Sequence, residues 1–117
     1  MKTTITTLLC CFIISIASFA QNKSENKTET FKVFGNCNMC KANIESVLKK
    51  KDGVLSKNWN KDTKILTITY DPVKISVQQI AQKVADKGYD NEFATAKPDS
   101  YNKLDKCCQY NRKKDSK

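Results

Sequence analysis

Histidine is absent from the 117-residue chain. A nitrogen-rich zinc or nickel site is therefore excluded, any tight metal site must rest on sulfur, and no imidazole is available as a catalytic base. Proline occurs twice, as Pro72 and Pro98, neither in the strand context of the cis-proline that clamps substrate beside a redox Cys-x-x-Cys. Three glycines write no phosphate-cradling loop, and no paired carboxylates are placed by pattern, so no catalytic constellation is legible. Acidic residues are also scarce, 12 against 21 basic ones, for a formal charge of +9. That excess invites nucleic acid, but the basic residues are scattered over helix faces, turns and the C-terminal tail without a stripe of interleaved aromatics. It reads as solvated surface attracted to an anionic membrane or an acidic partner face.

The longest apolar run, Leu8 to Phe19, lies in residues 1–20, which have the form of a secretory signal: Lys2 as the charged start and Ser18-Phe19-Ala20 as a small-x-small cleavage site. The run is too short for a membrane span, so none is expected once the signal is removed. Cys10 and Cys11 raise a lipoprotein reading, but the run continues past them. The expected location is outside the cytoplasm, periplasmic or secreted. Four cysteines then remain, Cys37, Cys40, Cys107 and Cys108, and an even count in a small exported chain is also the mark of a disulfide framework with three connectivities open to it.

Residues 21–29 contain no apolar side chain and are expected to form a disordered spacer. The domain is expected over 30–96 and a basic tail carrying the Cys-Cys pair over 97–117. Phe31 and Val33 alternate with Lys32 as a first strand, which stops at Gly35. A tight loop carries Cys37, and Cys40 is expected to open a helix whose apolar residues are Ile44, Val47 and Leu48, ended by Asp52-Gly53. Val54 to Trp59 and Ile65 to Tyr70 form a hairpin, the second strand with Leu66, Ile68 and Tyr70 on one face. Ser76 caps a second helix, Gln79 completes its capping box, Ile75 staples against Ile80, and Gly88 ends it. Tyr89 to Thr95 is expected as a short last strand. The order strand, helix, strand, strand, helix, strand predicts an α+β, ferredoxin-like βαββαβ fold, with two helices on one face of a four-stranded antiparallel sheet. From Pro98 onward the chain is polar and basic, interrupted by Tyr101, Leu104, Cys107, Cys108 and Tyr110, and is expected to be irregular or briefly helical and to fold back on the domain.

The stretch Phe31-Lys32-Val33-Phe34-Gly35-Asn36-Cys37-Asn38-Met39-Cys40 organises the chain. A thiol at a helix N-terminus meets the positive end of the macrodipole and unpaired N–H groups, so its pKa falls and a thiolate is available at neutral pH. Such thiolates bind soft metals or exchange disulfides. With the Asp52-Gly53-Val54 turn, the Tyr70-Asp71-Pro72 strand exit, the Ser76-x-x-Gln79-Ile80 helix start and Lys87-Gly88-Tyr89, this stretch resembles the heavy-metal-associated domain family of soft-metal chaperones and metal-ATPase N-terminal domains. The matching features run from Phe31 to Tyr89 in the family's order. The resemblance implies Cys37 and Cys40 as ligands to Cu(I) or, in other branches, zinc, cadmium or mercury. It also implies a metal-transporting membrane protein or another carrier as partner, and Tyr89 as the aromatic that shields the metal loop.

The loop departs from the family's Gly-Met-x-Cys, because Gly35-Asn36-Cys37 lacks the methionine and is one residue tighter. Branches specific for zinc or cadmium commonly carry a carboxylate just before the first cysteine; Asn36 is not one, and a two-thiolate site gives Zn²⁺ only half its shell, which favours Cu(I). Met39 is a candidate thioether ligand or a packing residue. The Tyr101 to Tyr110 segment resembles the tail of a set of small exported members; if it folds over the loop, Cys107 and Cys108 add thiolates to the site, although adjacent cysteines chelate one ion awkwardly. Two other functions stay open at this level. A thiol-disulfide oxidoreductase would use the same Cys-x-x-Cys, although Asn38-Met39 lacks the usual insert and no tryptophan precedes Cys37, and a disulfide-stapled interaction module would have no free thiol.

Overall fold

In a computed structural model, residues 25–112 are described; the expected signal over 1–20, the start of the spacer and the last five tail residues lie outside them. Strand β1 is Lys27–Lys32, helix α1 Asn38–Ser46, strand β2 Val54–Trp59, strand β3 Ile65–Tyr70, helix α2 Val77–Asp86 and helix α3 Pro98–Asn102, with 3₁₀ turns at Lys50–Asp52 and Lys106–Cys108. The strands form one antiparallel sheet in the order β1-β3-β2. One face is polar, with Thr30, Ser56 and Thr67 exposed. The other carries Phe31, Leu66, Ile68, Tyr70, Val54 and Trp59 into a core shared with Ile44 and Leu48 from the first crossover and Ile80 and Val84 of α2. Burial on one face only is what the period-2 pattern of β3 requires of an antiparallel sheet.

Helix α2 follows its sequence signals closely. Ser76 Oγ accepts from Gln79 N at 3.1 Å while Gln79 Oε1 accepts from Ser76 N at 2.9 Å, and Ile75 and Ile80 are both buried. Gly53 follows the first crossover at φ 108°, a left-handed conformation that glycine adopts without penalty. Between Val54 and Ser56 the register shifts against β3, a bulge that turns Leu55 to solvent. Among the described residues no helix is long and apolar enough to cross a membrane.

The α+β expectation holds, but the sheet has three strands where four are expected. The segment after Tyr89 makes a single bridge, Val33 with Asn91, flanked by Phe34 N to Asp90 O at 2.9 Å and Glu92 N to Lys32 O at 3.1 Å. It then turns away. Asn91 Oδ1 accepts from Phe93 N and Ala94 N, Asn91 Nδ2 donates to Ala81 O and Tyr89 O, and Asp90 Oδ1 accepts from Ala96 N. Side chains that bond nearby backbone groups curl the chain where a ladder would keep it extended. A second correction concerns the spacer: Lys27, Thr28 and Glu29 belong to β1 and pair with Tyr70, Thr69 and Ile68. Their polar side chains hid the strand, which is held there by its ladder, by the Thr28 to Thr69 hydroxyl contact and by the bond from Tyr70 OH to Glu29.

The tail folds back on the domain and is clamped. Tyr110 is buried between the rings of Tyr89 and Phe34, with centroids 6.0 and 6.5 Å away, and Tyr101 meets it edge-on at 5.2 Å. Its hydroxyl donates to Gly88 O at 2.9 Å and accepts from Asp90 N at 2.8 Å. Arg112 grips the Asp90 carboxylate with two bonds of 2.8 Å, donates to Ala96 O and lies over the Tyr101 ring. This clamp sets the Lys106–Cys108 turn against the start of α1.

Candidate metal centre

Cys37 is the N-cap of α1, with extended backbone (φ −150°, ψ 171°) and its Sγ accepting from Cys40 N at 3.4 Å. The helix thus opens at Asn38, earlier than the expected start at Cys40, because a sulfur does here what a hydroxyl does at ordinary caps. Cys40, one turn in, is fully buried, and its Sγ bonds to Asn36 Oδ1 at 3.2 Å and accepts from Asn36 N at 3.5 Å. Beneath the loop lies Trp59, whose Nε1 donates to Val33 O at 3.0 Å. A Cβ on Gly35 would come within 2.9 Å of two Trp59 ring carbons and 3.2 Å of Cys40 Cβ. Glycine at 35 is what lets the tightened loop lie flat on the indole.

The tail delivers a third sulfur. Cys37 Sγ is 3.1 Å from Cys40 Sγ and 3.6 Å from Cys108 Sγ, and all three sulfur atoms lie within 4.8 Å of one another. Cys108 is buried; its Sγ receives a long contact from Asn43 Nδ2 at 3.8 Å, and the same Nδ2 donates to Tyr89 OH at 3.0 Å. The four described cysteines are free thiols. Cys107 is exposed and stands outside the triad, with its Sγ 3.7 Å from Met39 Sδ and 3.9 Å from Cys108 Sγ. The structure therefore brings Cys37, Cys40 and Cys108 together and turns Cys107 toward Met39. Tyr89 is buried behind the triad, linked to Cys108 through Asn43 and covered by Tyr110.

The thiols differ in acidity. Desolvation works to raise Cys37, but hydrogen bonds from the Cys40 thiol and backbone N–H, then from Cys108 and the Met39 N–H, outweigh it and bring Cys37 down to about 7. Burial pushes the Cys108 thiol well up, assisted by its bonds to Cys40 and Cys37. Burial likewise holds the Tyr89 hydroxyl neutral. One thiolate supported by neighbouring thiols is a nucleophilic and metal-ready arrangement, because a thiophilic cation can take the place of the thiol protons. For metal–sulfur bonds of about 2.3 Å, an ion at the centre of an equilateral sulfur triangle needs edges of about 4 Å. The edges from Cys37, 3.1 and 3.6 Å, are somewhat shorter, so a small outward movement of the sulfurs would admit the ion.

Asn43 and Arg112 escaped the sequence reading of the site, Asn36 entered it only as a position without a carboxylate, and Tyr110 only as part of the tail. Tyr110 had a signal, an aromatic two residues beyond a cysteine in an otherwise polar tail; the asparagines had none.

The profile of the heavy-metal-associated domain matches residues 30–90. The copper chaperone CopZ of Staphylococcus aureus is 37% identical over 54 residues, 46% of this chain and 79% of its own. Oxidized MerP from Ralstonia metallidurans superposes with a TM-score of 0.54 at 29% identity, over 58% of this chain and 96% of MerP. The N-terminal domain of a potential copper-translocating P-type ATPase from Bacillus subtilis, solved in the Cu(I)-loaded state, gives 0.54 at 28% identity, over 57% of this chain and 85% of that domain.

Proposed function

From the premise that this chain belongs to the heavy-metal-associated domain family, a family of metal-binding carriers rather than enzymes, we propose that it carries Cu(I) on Cys37, Cys40 and Cys108 outside the cytoplasm. The carrier reading sets aside the oxidoreductase suggested by Cys-x-x-Cys alone. One observation bears the proposal: three sulfur atoms within 4.8 Å, two from the first loop and one from the tail. A soft, low-charge ion suits an all-sulfur, three-coordinate shell, whereas Zn²⁺ wants a fourth ligand that the triad does not supply. Similarity to a copper chaperone, and to a domain of a potential copper-translocating ATPase, supports Cu(I) as cargo and a membrane metal transporter or another metal carrier as the exchange partner. Hg²⁺, equally thiophilic and among the ions that the family resemblance implies, stays as the competing cargo.

The chain's own residues supply three things. The α1 N-terminus favours the Cys37 thiolate, Gly35 on Trp59 fixes the loop, and the Tyr110 and Arg112 clamp holds Cys108 over it. Cys37 is the only triad member that is partly exposed.

X-ray absorption on the reduced, Cu(I)-loaded chain tests this. Three sulfur neighbours are expected in the wild type and two in Cys108→Ser, while Cys37→Ser loses tight binding. An unchanged sulfur count in Cys108→Ser, or full affinity in Cys37→Ser, overturns the assignment. For the location, the mature chain recovered from its producing cell is expected to begin at Gln21, as N-terminal sequencing will read.

A further inference from the structure

The sulfur atoms do not stop at the triad. Met39 Sδ, Cys107 Sγ, Cys108 Sγ, Cys37 Sγ and Cys40 Sγ stand in an unbroken file, with successive separations of 3.7, 3.9, 3.6 and 3.1 Å. Its inner members Cys40 and Cys108 are buried; its outer members are open to solvent, Met39 with 46% of its surface accessible and Cys107 exposed. Met39 is projected by the first turn of α1 and Cys107 by the tail turn clamped above it.

We propose that Met39 Sδ and Cys107 Sγ, with Cys108 Sγ shared, form a second, exposed subsite for a soft thiophilic cation, through which the ion passes between the buried triad and an outside acceptor. Cys107 Sγ lies 3.7 Å from Met39 Sδ and 3.9 Å from Cys108 Sγ, in each case about the separation of two sulfurs bonded to one ion at about 2.3 Å. The two sites share Cys108, so the ion stays bonded to it throughout the move. Outward, the Cys107 thiol gives its proton to solvent, Cys107 Sγ and Met39 Sδ bond to the ion, the bonds to Cys37 and Cys40 break, and the two freed sulfurs take up protons from solvent, one of them replacing the proton that Cys107 released. The oxidation state of the ion does not change. The outer site offers two thiolates and a neutral thioether against three thiolates inside, so it binds more weakly and lets go faster, as an exchange position must.

This inference rests on the carrier reading, and one experiment separates the two. Cu(I) is titrated into the reduced full chain against a competing Cu(I) chelator, with native mass spectrometry counting ions per monomer and glutathione as the acceptor in a release assay. The wild type is expected to take two ions, the second more weakly. Cys107→Ser, at an exposed position, is expected to keep the first ion at wild-type affinity and to lose the second. Met39→Leu is expected to weaken the second about tenfold, the order that loss of one supporting group brings at a metal site. Release of the first ion to glutathione slows in Cys107→Ser. A wild type that takes one ion, a Cys107→Ser chain that still takes two, or an unchanged release rate overturns the outer site and leaves the carrier reading standing. A wild type that takes none overturns both.

Discussion

Cys37 and Cys108 show how far one residue type can be divided by its surroundings. In the reduced, metal-free chain, alkylation of Cys37 by iodoacetamide is expected to follow a midpoint at about pH 7, while buried Cys108 resists until the fold opens. Peptide mapping after limited alkylation checks the order, and equal reactivity of the two would contradict the structure. Gly35 makes a second prediction. Its missing Cβ is what allows Trp59, itself buried, to lie under the loop, so Gly35→Ala is expected to cost about 1–3 kcal/mol in urea unfolding and to weaken metal binding, as an overpacked site does. Cys37 and Cys40 were legible because a Cys-x-x-Cys between an apolar run and an amphipathic stretch is a pattern of residue types. Asn36 and Asn43 were not, because a polar residue that bonds a sulfur looks in sequence like any other surface asparagine.

The crossovers and the sheet read differently. Helix α2 and strand β3 were written in local terms, a capping box and a strict alternation, and they stand where those terms put them. The expected fourth strand failed because Asp90 and Asn91 spend their side chains on neighbouring backbone groups, a competition that hydrophobic periodicity does not register. The start of β1 was misplaced in the opposite sense: the strand stands at Phe31 as expected, but Lys27 to Glu29 look like linker, and only the partner strand makes them structure. The Asn91 turn is open to test. Asn91→Ala removes a buried amide with four backbone partners and is expected to destabilise by about 2–3 kcal/mol, most of it from the groups left unpaired. Denaturant unfolding measures it, and a loss near zero would mean that the turn is held by something else.

At the scale of the whole molecule, the domain and its tail form one unit. Tyr110 fills the gap between Phe34 and Tyr89, and Arg112 ties the chain to Asp90 and Ala96. Truncation after Ala96 is therefore expected to leave Tyr89 uncovered, to lower stability by about 2–4 kcal/mol for the buried aromatic and leucine surface removed, and to reduce the sulfur count on Cu(I) from three to two. Calorimetry and X-ray absorption on that chain read the two effects separately. The family could be recognised from the domain alone, whereas the partnership between loop and tail depends on contacts seventy-one positions apart and has no local signature. That distance has a consequence for timing. A chain still being synthesised, or threaded in extended form through a narrow pore, owns only the two sulfurs of its first loop, because the third arrives when both ends have met. Under the proposed three-sulfur site, loading with the full grip must come after folding is finished, so a chain that is still extended can offer an ion no more than two sulfurs.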